Sequence, residues 1–340
     1  MNSGSNKKRA EVMAPAGNLS SLKAAAEAGA DSVYMGFSGI TNARNFEGLN
    51  FTVEDLKDGI EYLHKAEKKL YLAINTFAEG DNLSPWFEAV DKAVELGVDA
   101  LILSDLAVLR YASTKYPEAE LHLSVQASAT THEAINFFKE QFNIKRAVLP
   151  RVHTISEIRD IHEKTDVELE AFLLGGLCIN VEGRCFLSSF VTGASTNIEG
   201  ACSPSRFVRF EGTDNGGLDI RLNGTLLNSL GADESSPYPT CCKGRYHRPD
   251  GSRTYAMEEP ESLNAVGMIP ELIEAGITAL KIEGRQRTKS YVREMTGVTR
   301  EAVDEYYKNG DNFSIKPEWS EKILRTFEGG GQTFGAYGGK

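Results

Sequence analysis

Four of the five cysteines, Cys178, Cys185, Cys202 and Cys242, fall in one stretch with the spacing C-x6-C-x16-C-x39-C. Thiolates are the soft ligands that select iron-sulfur clusters or zinc, so the first question is which of these a set of four would hold. Structural zinc sites bring close ligand pairs held by short knuckles, and this chain has no C-x-x-C. Wide, irregular spacing suits a cluster cupped by several loops, with structural zinc and unligated thiols as alternatives. Cys241 and Cys242 are adjacent, and two neighbouring thiolates rarely reach one centre, so one of them is expected to be a spare. Lys243 and Arg245 follow and could offset the charge of a cluster. Glu182 and Arg184 lie between two of the expected ligands and are read as steadying that loop.

Polar residues also recur where predicted strands end. These are Asn42, Arg44 and Asn45, then Asn75, then Ser124 and Gln126, then Arg151, and finally Glu283 and Arg285. Each alone reads as a structural hydrogen-bonding group. Gathered in one pocket, Arg44, Asn75, Gln126, Arg151, Glu283 and Arg285 would suit a carboxylate-bearing small molecule, because guanidinium groups grip carboxylates through paired, charge-assisted hydrogen bonds. The six histidines form no H-E-x-x-H, and there is no G-x-S-x-G elbow or P-loop, so ordinary metalloprotease, serine hydrolase and P-loop kinase chemistry lacks its key groups.

The elements that must position these residues follow a βα rhythm. Eight apolar runs read as strands: 11–14, 32–37, 69–77, 100–104, 120–126, 146–150, 168–175 and 279–283, with helical patterns between most of them. In the first helix Asn18 or Ser20 can cap the start, Leu22, Ala25 and Ala26 form the apolar stripe, and Gly29 stops it. The phrase AGADSVYMG recurs in kind as LGVDALILSD and AGITALKIEG, a repeated helix, glycine, turn and strand. The fold class is therefore α/β, a (β/α)8 TIM-like barrel with a cysteine-rich, partly β insertion between strands 7 and 8. A doubly wound sheet is the runner-up, although no glycine-rich dinucleotide fingerprint follows the first strand.

The expected division is a flexible N-terminus over 1–9, barrel strands 1–7 over 10–177, the cysteine insertion over 178–260, the last barrel unit over 261–310, and a C-terminal tail over 311–340 that lies on the surface or reaches a partner. Because the insertion follows strand 7, it must sit on the face where barrel active sites form. The start of the chain lacks the apolar run of a signal peptide, the cysteine count is odd, and no stretch is apolar enough to span a membrane, so a reducing cytoplasmic location is expected. A formal charge of -11 disfavours a protein that works by gripping a phosphate backbone, so no nucleic-acid partner is expected.

Several segments carry a resemblance beyond composition: APAGNLSSLKAAAEAGADSVYMG, TNARNFEGLNF, AINTF, LSVQASATTHEAINFF, VLPRV, LCINVEGRCFLSS, GACSPSRFVRF, YPTCCKGRY and LKIEGRQR. The chain resembles, from about residue 10 to the tail, the ubiquinone-biosynthesis branch of the collagenase-like peptidase superfamily. The resemblance implies a 4Fe-4S cluster on Cys178, Cys185, Cys202 and Cys242. It also implies a homologous iron-sulfur partner subunit (UbiV-like) in a heterodimer, and oxygen-independent hydroxylation of the ubiquinone ring, with prephenate as a donor of the oxygen. A lipid substrate without a membrane span implies a soluble lipid-carrier protein that delivers the quinone precursor. Relatives in the same superfamily hydroxylate bases of tRNA or rRNA, which is the alternative reading, and a non-catalytic iron-sulfur assembly module is another. The peptidase name finds no activated nucleophile or zinc site to support it. Cys241 stands where the pattern has an apolar residue, which leaves the fourth ligand to be decided between Cys241 and Cys242.

Overall fold

The computed structural model describes residues 9–46 and 48–339; of the N-terminus expected to be flexible, residues 1–8 lie outside the described residues. The barrel begins with β1 (Glu11–Pro15), β2 (Ser32–Gly36), β3 (Lys69–Ile74), β4 (Ala100–Leu103), β5 (Leu121–Leu123), β6 (Arg146–Val148) and β7 (Glu168–Gly176). Between them run α1 (Leu19–Glu27), α2 (Val53–Lys65), α3 (Ser84–Leu96), α4 (Leu106–Lys115), α5 (His132–Phe142) and α6 (Ile155–His162). The insertion then carries a short helix α7 (Leu187–Thr192), an antiparallel sheet of β8 (Val208–Gly212), β9 (Leu218–Leu222) and β10 (Thr225–Leu230), and a hairpin of β11 (Arg245–His247) and β12 (Arg253–Tyr255). The chain returns through β13 (Glu261–Asn264), α8 (Ile269–Glu274), β14 (Ile277–Ile282), α9 (Lys289–Asn309), α10 (Pro317–Leu324) and β15 (Gly331–Thr333).

Strands β1 to β7 pair in parallel and in order, and β14 pairs in parallel with both β1 and β7, which closes an eight-stranded barrel. This is the TIM-barrel-like (β/α)8 architecture, with all eight predicted strands in place. The ends of two strands differ in a way that matters. β3 stops at Ile74, so Asn75 stands at the start of the loop, and β5 stops at Leu123, where Ser124 caps a 3-10 turn over Val125–Ala127 that holds Gln126.

The local grammar is physical. Asn18, not Ser20, caps α1 by accepting from the Ser21 N–H at 2.9 Å, while Thr52 with Asp55 and Thr154 with Glu157 form capping boxes on α2 and α6. The repeated G-x-D phrase has a shared role: Asp31 accepts from the Val12 N–H and Asp99 from the Leu70 N–H, both at 2.7 Å. Each aspartate ties the start of one strand to the strand before it. In the insertion, Asn223 and Gly224 both take positive φ (47° and 79°), the two-residue turn that joins β9 to β10. Asn-Gly between apolar runs is the sequence signal of this hairpin.

Beyond residue 310 the chain packs back onto the barrel. Trp319 is fully buried, β15 pairs with β13, and the Tyr337 hydroxyl donates to the Phe172 carbonyl at 3.0 Å. Among the described residues no helix is long and apolar enough to cross a membrane.

Inside the barrel Met13, Tyr34, Tyr71, Ala73, Ala100 and Ile102 form an apolar layer. Beneath it is an ion network. Arg146 reaches Glu11 and Glu168 at 2.8 Å each and Glu170 at 3.5 Å, and Lys281 binds Glu170 at 2.7 Å. Removing one partner of a buried set leaves unpaired charge, so Arg146→Met is expected to cost on the order of 3–5 kcal/mol in chemical denaturation. Burial pushes the Glu11 carboxyl up, but Arg146 outweighs it and holds it at about 2, against an ordinary 4.5. A carboxyl held low stabilises the fold fully above its ordinary value, so this contribution fades as pH falls from about 4.5 towards 2. Acid titration of Arg146→Met, followed by circular dichroism, should show a weaker loss of stability across that window.

Gly183 fixes the loop between Cys178 and Cys185 against the barrel. Its φ is +88°, and a Cβ there would collide with the Gln126 carbonyl oxygen. Gly183→Ala is expected to lower Tm by several degrees in calorimetry, because the left-handed backbone alone costs a non-glycine residue about 1–2 kcal/mol.

Candidate active site

The loops that follow β2, β3, β5, β6, β7 and β14 meet at the C-terminal mouth of the barrel, and their polar residues converge as the strand-end pattern predicts. Arg44, Asn75, Gln126, Arg151, Glu283 and Arg285 all line one cavity of about 60 Å³ in the barrel mouth. Its centre is Glu283. One carboxylate oxygen accepts from Arg44 Nη2 at 2.8 Å; the other lies 3.2 Å from Arg151 Nη1 and accepts from the Gly176 N–H at 3.0 Å. Burial acts to raise the Glu283 carboxyl, yet Arg151 and Arg44 together hold it at about 2. Arg151 also stacks on Phe172, with its guanidinium 3.9 Å from the ring centre.

Asn75 is a brace: it accepts from the Ala43 N–H at 2.9 Å and donates to the Ser124 hydroxyl at 3.0 Å. Asn42 holds Arg285, whose Nη1 donates to its side-chain oxygen at 3.1 Å. Burial lowers Arg285 to about 10, and no carboxylate pairs with it among the ion pairs of the described residues. Asn42 itself stands behind the lining, and Asn45 is further removed. It accepts from the Gly39 N–H in the loop and does not line the cavity.

A second cavity, of about 120 Å³, adjoins the first and shares Arg44, Gln126, Arg151, Glu182, Glu283 and Gln286 with it. Cys178, Cys185, Cys202 and Cys242 all line this second cavity. The side chain of Cys241 goes the other way and packs in an apolar cluster with Leu222 and Leu227. Cys242 faces the cavity, with Sγ 3.2 Å from the Thr240 hydroxyl. All five thiols are free. Lys243 also lines the cavity and donates to the Glu261 carbonyl at 2.9 Å, whereas Arg245 turns away to Glu234 and Tyr255.

The donor set fits an iron-sulfur cluster. Four soft ligands surround one space, Arg44, Arg151 and Lys243 bring positive charge to its wall, and Tyr238 and Tyr291 shield it. Among the described residues no group of three or more His, Cys, Asp or Glu is drawn close enough to hold a single metal ion. Burial pushes the Cys178, Cys202 and Cys242 thiols up, so loading soft metal onto them would release protons.

Sequence reasoning missed Tyr34, Lys281 and Tyr238. Lys281 had a legible signal, a cation between Leu280 and Ile282 in a strand buried on both faces. Tyr34 and Tyr238 had none, since nothing local distinguishes a tyrosine that lines a cavity from one in the core.

Comparisons with known proteins place the chain in a family. A family model described as Peptidase family U32 matches residues 17–337. The chain is 33% identical over 318 residues to tRNA hydroxylation protein P1 of Bacillus subtilis, covering 93% of this chain and 68% of that one. It is 28% identical over 296 residues to the 23S rRNA 5-hydroxycytidine C2501 synthase of Escherichia coli, covering 87% and 39% respectively. It is also 29% identical over 331 residues to a collagenase of Porphyromonas gingivalis, covering 94% and 72%. Among solved structures, the U32 peptidase Mk0906 aligns with a TM-score of 0.51 at 12% identity, covering 85% of this chain and 98% of that chain; at such identity the likeness speaks to fold alone. With the family model spanning nearly the whole barrel and its insertion, the chain belongs to peptidase family U32, and its relatives include proteins of tRNA and rRNA hydroxylation.

Proposed function

We propose that this chain is the iron-sulfur subunit of an oxygen-independent hydroxylase that acts on the aromatic ring of ubiquinone precursors. The observation that carries the reading is the adjacency of two cavities with one shared wall: four thiols line one, and the arginine-rich barrel mouth forms the other. Cys178, Cys185, Cys202 and Cys242 would hold a 4Fe-4S cluster, which supplies electron-transfer chemistry when bound. Arg285, with Arg44 and Arg151 beside it, would bind a carboxylate-bearing oxygen donor such as prephenate, since its buried charge pairs with no carboxylate among the described residues. Phe172 and Tyr34 would flank a planar ring in the mouth.

A homologous iron-sulfur subunit is proposed as the partner in a heterodimer. Phe186 and Phe190, which are 71% and 93% exposed on the cysteine insertion, support a covering surface there. A soluble lipid-carrier protein would present the quinone precursor in the cytoplasm. The relatives of tRNA and rRNA hydroxylation favour a second reading, oxygen-independent hydroxylation of an RNA base. The net charge of -11 weighs against it, because RNA binding draws on unopposed cations.

Anaerobic purification should yield a coloured protein with iron and sulfide in cluster stoichiometry; a colourless protein holding one zinc would end the cluster assignment. Cys242→Ser should bleach it, and Cys241→Ser should leave the absorption spectrum intact. A deletion strain grown without oxygen should lose ubiquinone and accumulate an unhydroxylated precursor, with its RNA bases unchanged. A missing hydroxylated base with normal quinone would decide for the RNA reading.

A further inference from the structure

Two carboxylates stand at the wall between the cavities, and their surroundings are opposite. Glu283 has both oxygens engaged by Arg44, Arg151 and the Gly176 N–H. Glu182 is 7% exposed, and neither of its carboxylate oxygens accepts a hydrogen bond within the described residues. Its nearest cation is Arg151, whose Nε lies 3.4 Å from Oε1 without forming a hydrogen bond, so that Nε is also left without a donor contact. Glu182 has this ion pair but no hydrogen bond to either oxygen, and a buried carboxyl left short of hydrogen bonds costs folding free energy.

The loop is nevertheless held firmly in place. The Ser128 hydroxyl donates to the Glu182 carbonyl at 2.7 Å, and Gly183 sits where no Cβ fits against Gln126. The backbone is thus clamped while the side chain is left facing the space that both cavities share.

We propose that Glu182 is the base of the site, which takes the proton from the ring carbon that receives oxygen. This rests on the hydroxylase reading above. The step is a proton transfer alone: the C–H bond of the oxygenated ring carbon breaks, its electron pair returns to the ring, and an O–H bond forms on the Glu182 carboxylate. No electron enters or leaves the carboxylate.

The charged and titratable groups around it are Arg151 after β6, Arg44 after β2, Glu283 at the end of β14, Cys178 on its own loop and Tyr337 from the end of the chain. Burial dominates and raises Glu182 to about 7; Arg151 and Arg44 pull down, and Glu283 pushes up. Glu283 beside it is held at about 2. Environments that drive two neighbouring carboxyls this far apart separate a proton-transferring group from a structural one. The base form of Glu182 fills as pH rises through about 7, so ring hydroxylation should rise across that range.

The test compares Glu182→Gln and Glu182→Asp with wild type in the full chain, purified without oxygen together with its partner subunit. Glu182→Gln should keep wild-type iron and sulfide content and lose about 10²-fold or more in ring hydroxylation. Its remaining activity should lack the acidic limb near pH 7, and Glu182→Asp should recover part of the rate. In infrared difference spectra of the holoprotein, a protonated-carboxyl band should titrate near pH 7 in wild type and be missing from Glu182→Gln. Full activity in Glu182→Gln would overturn the assignment, as would loss of its iron and sulfide, which would make Glu182 a support of the cluster loop. Wild-type protein that hydroxylates no ring would instead overturn the hydroxylase reading, and the assignment with it.

Discussion

The shared salt bridge of Glu283 is the contact on which the mouth of this barrel depends. It draws Arg44 from the loop after β2, Arg151 from the loop after β6 and the Gly176 N–H from the end of β7 onto the first residue after β14. These elements are far apart in sequence and close only because the barrel is shut. Arg44, Arg151 and Arg285 outnumber the carboxylates Glu283 and Glu182 on this wall, which leaves surplus positive charge. That surplus sets up a cavity suited to anions, and it adjoins the cavity that the four thiols line.

The insertion works by the same economy of contacts. It leaves the barrel at the end of β7, where Gly175 takes a φ of +132° and a Cβ would collide with Glu283. The end of β7 can therefore lie this close to Glu283 only because a glycine is there. The four thiols come from three separate parts of the insertion, and no two of them share a short knuckle. The cavity is accordingly a property of how the loops dock on the barrel, with Ser128 and Gln126 as the anchor on the barrel side. Such a site can place soft ligands beside a substrate pocket, which a self-contained zinc knuckle on the outside of the fold could not do.

Much of this was legible in the amino-acid sequence. The alternation of buried strands with capped amphipathic helices specifies a (β/α)8 barrel, because each strand must be apolar on both faces and each helix on one. Strand-end polar residues could be named for the mouth, since every βα turn opens on the same face. The residues the sequence left uncertain were those whose role depends on direction. Cys241 and Cys242 are equivalent as letters, and only the 3-10 turn at Cys241–Lys243 sends one thiol into the apolar cluster and the other into the cavity. Asn45 and Asn75 read alike, yet one braces a surface loop and the other the cavity wall.

The sequence by itself determined the fold class, the face on which the chemistry must sit, and the residue types gathered there, because these follow from periodicity and from the topology of parallel strands. Tertiary structure decided which side chains share one space and what each carboxyl does. Glu182 and Glu283 are chemically the same group and both lie within ion-pair distance of Arg151; what separates them is that Arg44 and the Gly176 N–H hydrogen-bond to Glu283 while no described residue hydrogen-bonds to the Glu182 carboxylate. Partnering of that kind is set by contacts among residues more than a hundred positions apart, and no local pattern encodes it.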